Sequence, residues 1–216
     1  MRDHGTGDAR ERPAGGFAAW LDDVRAAIDD GRATDVPCDG CVACCTSSQF
    51  VHIAPDETET LAHIPAELLF PAPRMPKGHM LLGYDEHGRC PMLVDDRCSI
   101  YAHRPRTCRT YDCRVFAAAD VEPDDDKPSI AARVRQWRFD LTTDDDRRVR
   151  DAVRAAARFV DAHRDELPAR LAPANRTQLA VLAVRSADVF LADATPEPTE
   201  AIVEITRRAG KGSRPA

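Results

Sequence analysis

The pattern of apolar and polar positions divides the chain into a polar lead, one amphipathic stripe, a middle stretch of short apolar runs cut by turn residues, and a helical second half. Residues 1–15 are rich in Gly, Asp and Arg without periodicity and are expected to be disordered. Phe17, Trp20, Leu21, Val24 and Ile28 then recur at helical spacing, which predicts an amphipathic helix ending near Gly31. Phe50 to Ile53 reads as a short strand, and Pro55-Asp56-Glu57 as the acidic start of a helix that turns Leu61 and Ile64 inward. Prolines at 65, 71, 73 and 76 predict a loop. Met80 to Tyr84 and Arg89 to Val94, joined across Asp85-Glu86-His87-Gly88, predict a β-hairpin, and Pro105 keeps Cys98 to Cys113 in turns or short helices.

The second half reads as helices. Ile130, Val134, Trp137 and Leu141 form one stripe, and Val149, Val153, Ala156, Val160 and Leu167 form another, closed by Pro168. Leu179 to Leu191 is a third, and a last helix runs from Thr195-Pro196 to Arg208. The expected fold is α+β and predominantly helical, with a cysteine-rich metal-binding lobe carrying a short β-hairpin and a C-terminal helical lobe. The expected organisation is a disordered N-terminus (1–15), a helix plus cysteine-rich domain (16–119), an acidic linker (120–128), a helical region (129–209) and a disordered tail (210–216).

Composition narrows the function. The net charge is −6, with 27 Arg and 3 Lys, and an acidic chain argues against nonspecific nucleic-acid binding. No stretch approaches the roughly 20 apolar residues of a membrane span, and the polar N-terminus is unlike a signal peptide, so a cytoplasmic protein is expected. The sequence names no protein partner, and no residue set commits the chain to catalysis.

The chemistry concentrates in the cysteines. All eight fall between 38 and 113: Cys38, Cys41, Cys44 and Cys45, then Cys90, Cys98, Cys108 and Cys113. In a reducing compartment such thiols read as metal ligands rather than disulfides. Cys38, Cys41 and Cys44 have the C-x2-C-x2-C spacing that holds three irons of a cubane, and Cys90-Pro91 fits the remote fourth ligand. Tetrahedral zinc accepts cysteines from paired motifs equally well. The spacing therefore predicts an iron–sulfur cluster, with 4Fe–4S preferred, or zinc. Adjacent side chains diverge, so Cys44 and Cys45 are not expected to be terminal ligands of one ion, which points to two nearby sites or one cluster with an auxiliary thiol. All eight cysteines are expected to be ligands or near-ligands. Arg97, Arg104, Arg106, Arg109 and Arg114 lie among them, with Arg104 and Arg109 expected to offset thiolate charge. Any of His52, His79, His87 or His103 could replace a thiolate, imidazole being a zinc ligand, whereas His163 is expected to be structural.

The pattern Cys38-x2-Cys41-x2-Cys44-Cys45, Gly88-Arg89-Cys90-Pro91-Met92-Leu93, Cys98-Ser99-Ile100-Tyr101 and Arg104-Pro105-Arg106-Thr107-Cys108-Arg109 resembles the YkgJ-type cysteine-cluster family, a zinc- or iron-chelating CxxCxxCC domain. The resemblance covers residues 36 to 116 and leaves out the helical C-terminal part. It implies a metal or iron–sulfur module and does not imply a reaction.

Overall fold

The computed structural model describes residues 10–30, 32–34, 36, 38, 40–191 and 196–211. In chain order they form β1 (Arg12–Gly16), α1 (Phe17–Asp30), β2 (Val51–Ile53), α2 (Thr58–Ala62), β3 (Leu69–Pro71), β4 (Met80–Leu82), β5 (Leu93–Val94), β6 (Arg97–Cys98), α3 (Arg106–Thr110), α4 (Arg114–Ala119), α5 (Pro128–Val134), β7 (Trp137–Asp140), α6 (Asp144–Ala162), α7 (Arg176–Ser186) and α8 (Pro198–Lys211). The fold is α+β and predominantly helical. Among the described residues no helix is long and apolar enough to cross a membrane. The chain forms two compact units, one from Met1–Asp30, Cys113–Asp125 and Ala131–Ala216, the other from Gly31–Asp112 and Asp126–Ile130.

The first unit is helical. The stripe on α1 buries Phe17, Trp20, Leu21 and Val24 as the periodicity predicts. Phe17 and Trp20 pack on Phe139 of β7 with ring centroids 4.8 and 4.7 Å away. β7 runs parallel to β1, with Arg12 opposite Trp137. This pairing corrects two expectations. Residues 12–15 are a strand and not disordered, and Trp137 lies on a strand and not on a helix continuing from Val134. The sequence of β1, Arg-Pro-Ala-Gly-Gly, has no β-branched or aromatic residue, so its extended shape depends on the partner strand and leaves no local signal.

α6 and α7 supply the rest of this core, burying Val153, Ala156, Val160, Ala180, Ala183 and Val184. Thr143 caps α6. Its hydroxyl oxygen accepts the Asp146 amide at 3.0 Å, and the Asp146 carboxylate accepts the Thr143 amide at 2.9 Å, a reciprocal capping box. Asp146 also accepts the Ala18 amide at 2.9 Å, so one buried carboxylate ties the first turns of α1 and α6 together. These hydrogen bonds, the Ala18 amide foremost, hold its carboxyl down to about 2. Gly210 and Lys211, expected in the tail, belong to α8. Thr195, the expected cap of α8, lies outside the described residues.

The second unit is built on a three-stranded antiparallel sheet in the order β2-β4-β3, with Leu82 between Val51 and Leu69. Val51, Ile53, Ile64, Leu82, Met92 and Ile100 form its core, and Cys90 and Cys98 pack against it. The sheet departs from expectation in two places. β3 occupies the proline-rich stretch expected to be loop, and its Pro71 is tolerated because β3 is an edge strand. β4 pairs with β2 and β3 instead of with Arg89 to Val94, so the hairpin here is β5–β6, with Leu93 opposite Cys98. Asp95 and Asp96 make its two-residue turn with φ of 48° and 56°, the left-handed pair that matches strand twist.

The units also cut the sequence differently from the expected boundaries. α1 and residues 113–125 belong with the C-terminal helices, while 126–130 belong with the cysteine-rich unit. Thr143→Ala removes the acceptor of the Asp146 amide and is expected to cost about 1 kcal/mol. Chemical denaturation would show this as a lower midpoint, whereas an unchanged midpoint would mean that the cap contributes nothing.

Candidate metal centre

Seven of the eight cysteines lie in the second unit, and its local structure explains how distant ones meet. Cys38 and Cys41 flank a tight turn in which the Cys41 amide donates to the Cys38 carbonyl at 2.8 Å. Gly40 takes φ +67° there, a conformation that a side chain would strain. Cys44 and Cys45 open a 3-10 turn, Cys44–Thr46, held by Ser47 Oγ donating to the Ala43 carbonyl at 2.6 Å. Lys127 Nζ donates to the Ser47 carbonyl at 2.9 Å.

The remote cysteines arrive by backbone hydrogen bonds. The Cys90 amide donates to the Cys45 carbonyl at 2.7 Å and the Ser48 amide to the Gly88 carbonyl at 2.9 Å, so segments 45–48 and 88–90 run side by side. Gly88 has φ +74°, a conformation that a side chain would strain, and a Cβ there would oblige the Ser48 hydroxyl to turn away. Cys98 sits on β6. The Leu93 amide donates to the Cys90 carbonyl and the Ser99 amide to the Met92 carbonyl, each at 2.9 Å, which joins β5–β6 to the Cys90 segment.

Cys108 is carried by α3, and α3 is anchored by a residue that the cysteine pattern does not reveal. Glu57 is buried, and its carboxylate accepts the Ala54 amide at 2.9 Å with one oxygen and the Arg106 amide with the other. The Arg106 amide is the first of α3, so Glu57 caps that helix from 49 residues away. Thr107 Oγ1 donates to the His52 carbonyl of β2 at 2.7 Å, and the Thr34 amide donates to the Arg109 carbonyl at 2.9 Å. The last contact ties Thr34, four residues before Cys38, to the end of α3.

These constraints bring four thiols within electrostatic range of one another. Burial pushes the Cys45 thiol up to about 12, with the Cys90, Cys98, Cys41 and Cys38 thiols adding to the shift. Cys108 is also pushed up to about 12, by desolvation first and then by Cys45, Cys90 and Cys98, although part of its side chain faces solvent. Cys90 is raised by burial, with Cys98 adding to it. Every pair within Cys45, Cys90, Cys98 and Cys108 therefore interacts electrostatically, and Cys38 and Cys41 reach the group through Cys45. Cys45, which adjacency to Cys44 marks as the odd member of the run, faces Cys90 and Cys98 as well as Cys38 and Cys41. A soft cation held here would have to displace the protons that desolvation favours on Cys45, Cys90 and Cys108.

Arg104 draws the Cys108 value the other way, and its guanidinium lies 4.0 Å over the Tyr101 ring while donating to the Tyr101 carbonyl. Arg109 instead faces Glu57, with Nη2 4.0 Å from its carboxylate. Arg106 pairs with Asp56 at 2.6 Å, and Arg114 belongs to the helical unit, where it donates to the Ala14 carbonyl. The expected arginine cluster is thus divided among separate tasks. Cys113 is also in the helical unit, buried, with its sulfur accepting the Trp137 Nε1 proton at 3.2 Å. Among the histidines, His52 bonds His79 at 2.8 Å, His103 stacks on His63, and His87 is exposed beside Glu86.

Two features were hard to read in advance. Glu57 was legible as an acid opening a helix but not as the cap of another helix. The Asp95-Asp96 turn between Leu93-Val94 and Arg97-Cys98 did carry a signal, since Asp is among the residues that tolerate left-handed backbone.

The gathered thiols, none of them in a disulfide, lie in a unit built on a small sheet, and thiols of this kind are ligands for soft metal ions. Residues 37–130 match the family model CxxCxxCC, described as "Putative zinc- or iron-chelating domain", which is the family that the cysteine spacing resembles. The match supports metal binding by this segment. No curated protein and no solved structure matches the chain.

Replacing Glu57 by Ala leaves two amides short of an acceptor and is expected to cost on the order of 3 kcal/mol. Glu57→Gln, which keeps one carbonyl oxygen, should cost less. Amide hydrogen exchange reads the effect as lost protection across α3, and full protection in Glu57→Ala would remove the anchoring role.

Proposed function

We propose that the cysteine-rich unit holds an iron–sulfur cluster, with 4Fe–4S preferred, and serves electron transfer or supports an enzyme. The observation that carries the proposal is the quartet Cys45, Cys90, Cys98 and Cys108, in which each thiol interacts with the other three. Four thiolates complete the ligand set of such a cluster, and the surrounding thiols exceed what one zinc ion takes. When bound, the cluster supplies one-electron redox chemistry.

The chain's own residues set its surroundings. Cys45 and Cys90 are desolvated, and Cys90 and Cys98 back onto the apolar core of the unit. Cys108 reaches the surface with Arg104 beside it, so exchange with a partner uses that side. Cys38, Cys41 and Cys44 flank the quartet as further ligands or auxiliary thiols. Cys113, accepting the Trp137 N–H in the other unit, is left out of the proposed set. The eight unbridged thiols fit a reducing cytoplasm.

A second reading, structural zinc, is favoured by the same quartet, because four thiolates also complete a closed tetrahedral site. Anaerobic purification with metal analysis and an optical spectrum separates the two. The iron–sulfur reading expects a brown protein with several irons per chain and broad visible absorption, and a colourless protein with stoichiometric zinc would replace it with the zinc reading.

A further inference from the structure

A different set of metal-ligand side chains meets on the surface of the cysteine-rich unit. Glu59 lies in α2 and His63 caps its C-terminal end four residues later, so the two share a face, and His103 closes the 3-10 turn Tyr101–His103. Ligand-capable atoms of Glu59, His63 and His103 all lie within 4.8 Å of one another. No Cys is in the group, and nothing in the cysteine pattern points to it.

The His63 imidazole is held in a way that suits coordination. His63 Nδ1 lies 2.7 Å from the Glu59 carbonyl oxygen. A carbonyl only accepts, so Nδ1 carries the proton and Nε2 keeps its lone pair. Metal-binding histidines are commonly held in this manner, one ring nitrogen fixed by a backbone carbonyl and the other left for the ion. The His63 and His103 rings stack with centroids 3.7 Å apart and 9° between planes. His103 Nδ1 stands 3.8 Å from a Glu59 carboxylate oxygen, which supplies negative charge at the same spot.

We propose that Glu59, His63 and His103 form a surface site for a divalent transition-metal ion of the zinc type. It is independent of the cysteines and of whatever they hold. Two imidazoles and one carboxylate suit zinc, and three protein ligands leave the remaining positions to water or to a group brought by a partner. Parallel rings do not aim their lone pairs at one point. Coordination therefore turns the partly exposed His103 ring, while the His63 ring stays on its carbonyl.

The test uses the full chain as isolated, with its cysteine site loaded and its histidine rings labelled with nitrogen-15, titrated with zinc chloride. The expected result is a saturable shift of the His63 and His103 ring nitrogens at one zinc per chain, with Nε2 as the coordinated atom of His63. His63→Ala and His103→Ala should each abolish the shift at the partner histidine, and Glu59→Gln should weaken zinc binding. Circular dichroism and the metal content of the cysteine site should be unchanged in all three variants, which separates a lost surface ligand from a misfolded unit. Zinc excess without a shift at either ring, or the same zinc uptake in both histidine variants as in the parent, would overturn the site.

Discussion

The contact on which the cysteine-rich unit turns is the hydrogen bond from the Cys90 amide to the Cys45 carbonyl, 2.7 Å long. It joins two segments 45 residues apart in sequence, and the left-handed φ of Gly88 turns the chain into it. Once that contact is made, the β5–β6 hairpin delivers Cys98 beside Cys90, and α3 delivers Cys108. The thiols are thus gathered by backbone and by one buried carboxylate, Glu57, before any metal is considered. Gathering them costs free energy in the absence of metal, since desolvated thiols hold their protons and would repel as thiolates. A bound cation converts that cost into affinity, which is why metal binding and folding are coupled in small cysteine-stapled units.

Much of this was legible in the sequence, for stated physical reasons. The stripe Phe17 to Val24 has a helical period strong enough to survive any context, and α1 appears where it predicts. The clustering of thiols in one half of the chain announced a site. The elements that were not legible depend on distant partners. β1 has no intrinsic strand preference and exists through β7, and Pro71 sits in a strand because that strand is an edge. The grouping of thiols followed the same rule. Spacing made Cys38, Cys41 and Cys44 the natural set, and it left unseen that Cys45 shares an environment with Cys90, Cys98 and Cys108.

The two units also divide the tryptophan and arginine chemistry. Trp137 gives its N–H to Cys113 within the helical core, which accounts for a buried sulfur without invoking a metal. Arg104 stays with the thiols, Arg106 and Arg109 serve the acids beside α3, and Arg114 serves a backbone carbonyl in the helical unit. A stretch that looks in sequence like one basic patch thus includes arginines with separate local partners, Arg104 being the one that draws the Cys108 thiol down.

The most direct test of the account is metal content per chain in single Cys→Ser variants of Cys45, Cys90, Cys98, Cys108 and Cys113, each purified anaerobically and checked for helicity. The account predicts that the first four lose most of the metal while Cys113→Ser retains it, serine still accepting the Trp137 proton. Full metal retention in Cys45→Ser, or loss in Cys113→Ser equal to that of the quartet variants, would contradict it.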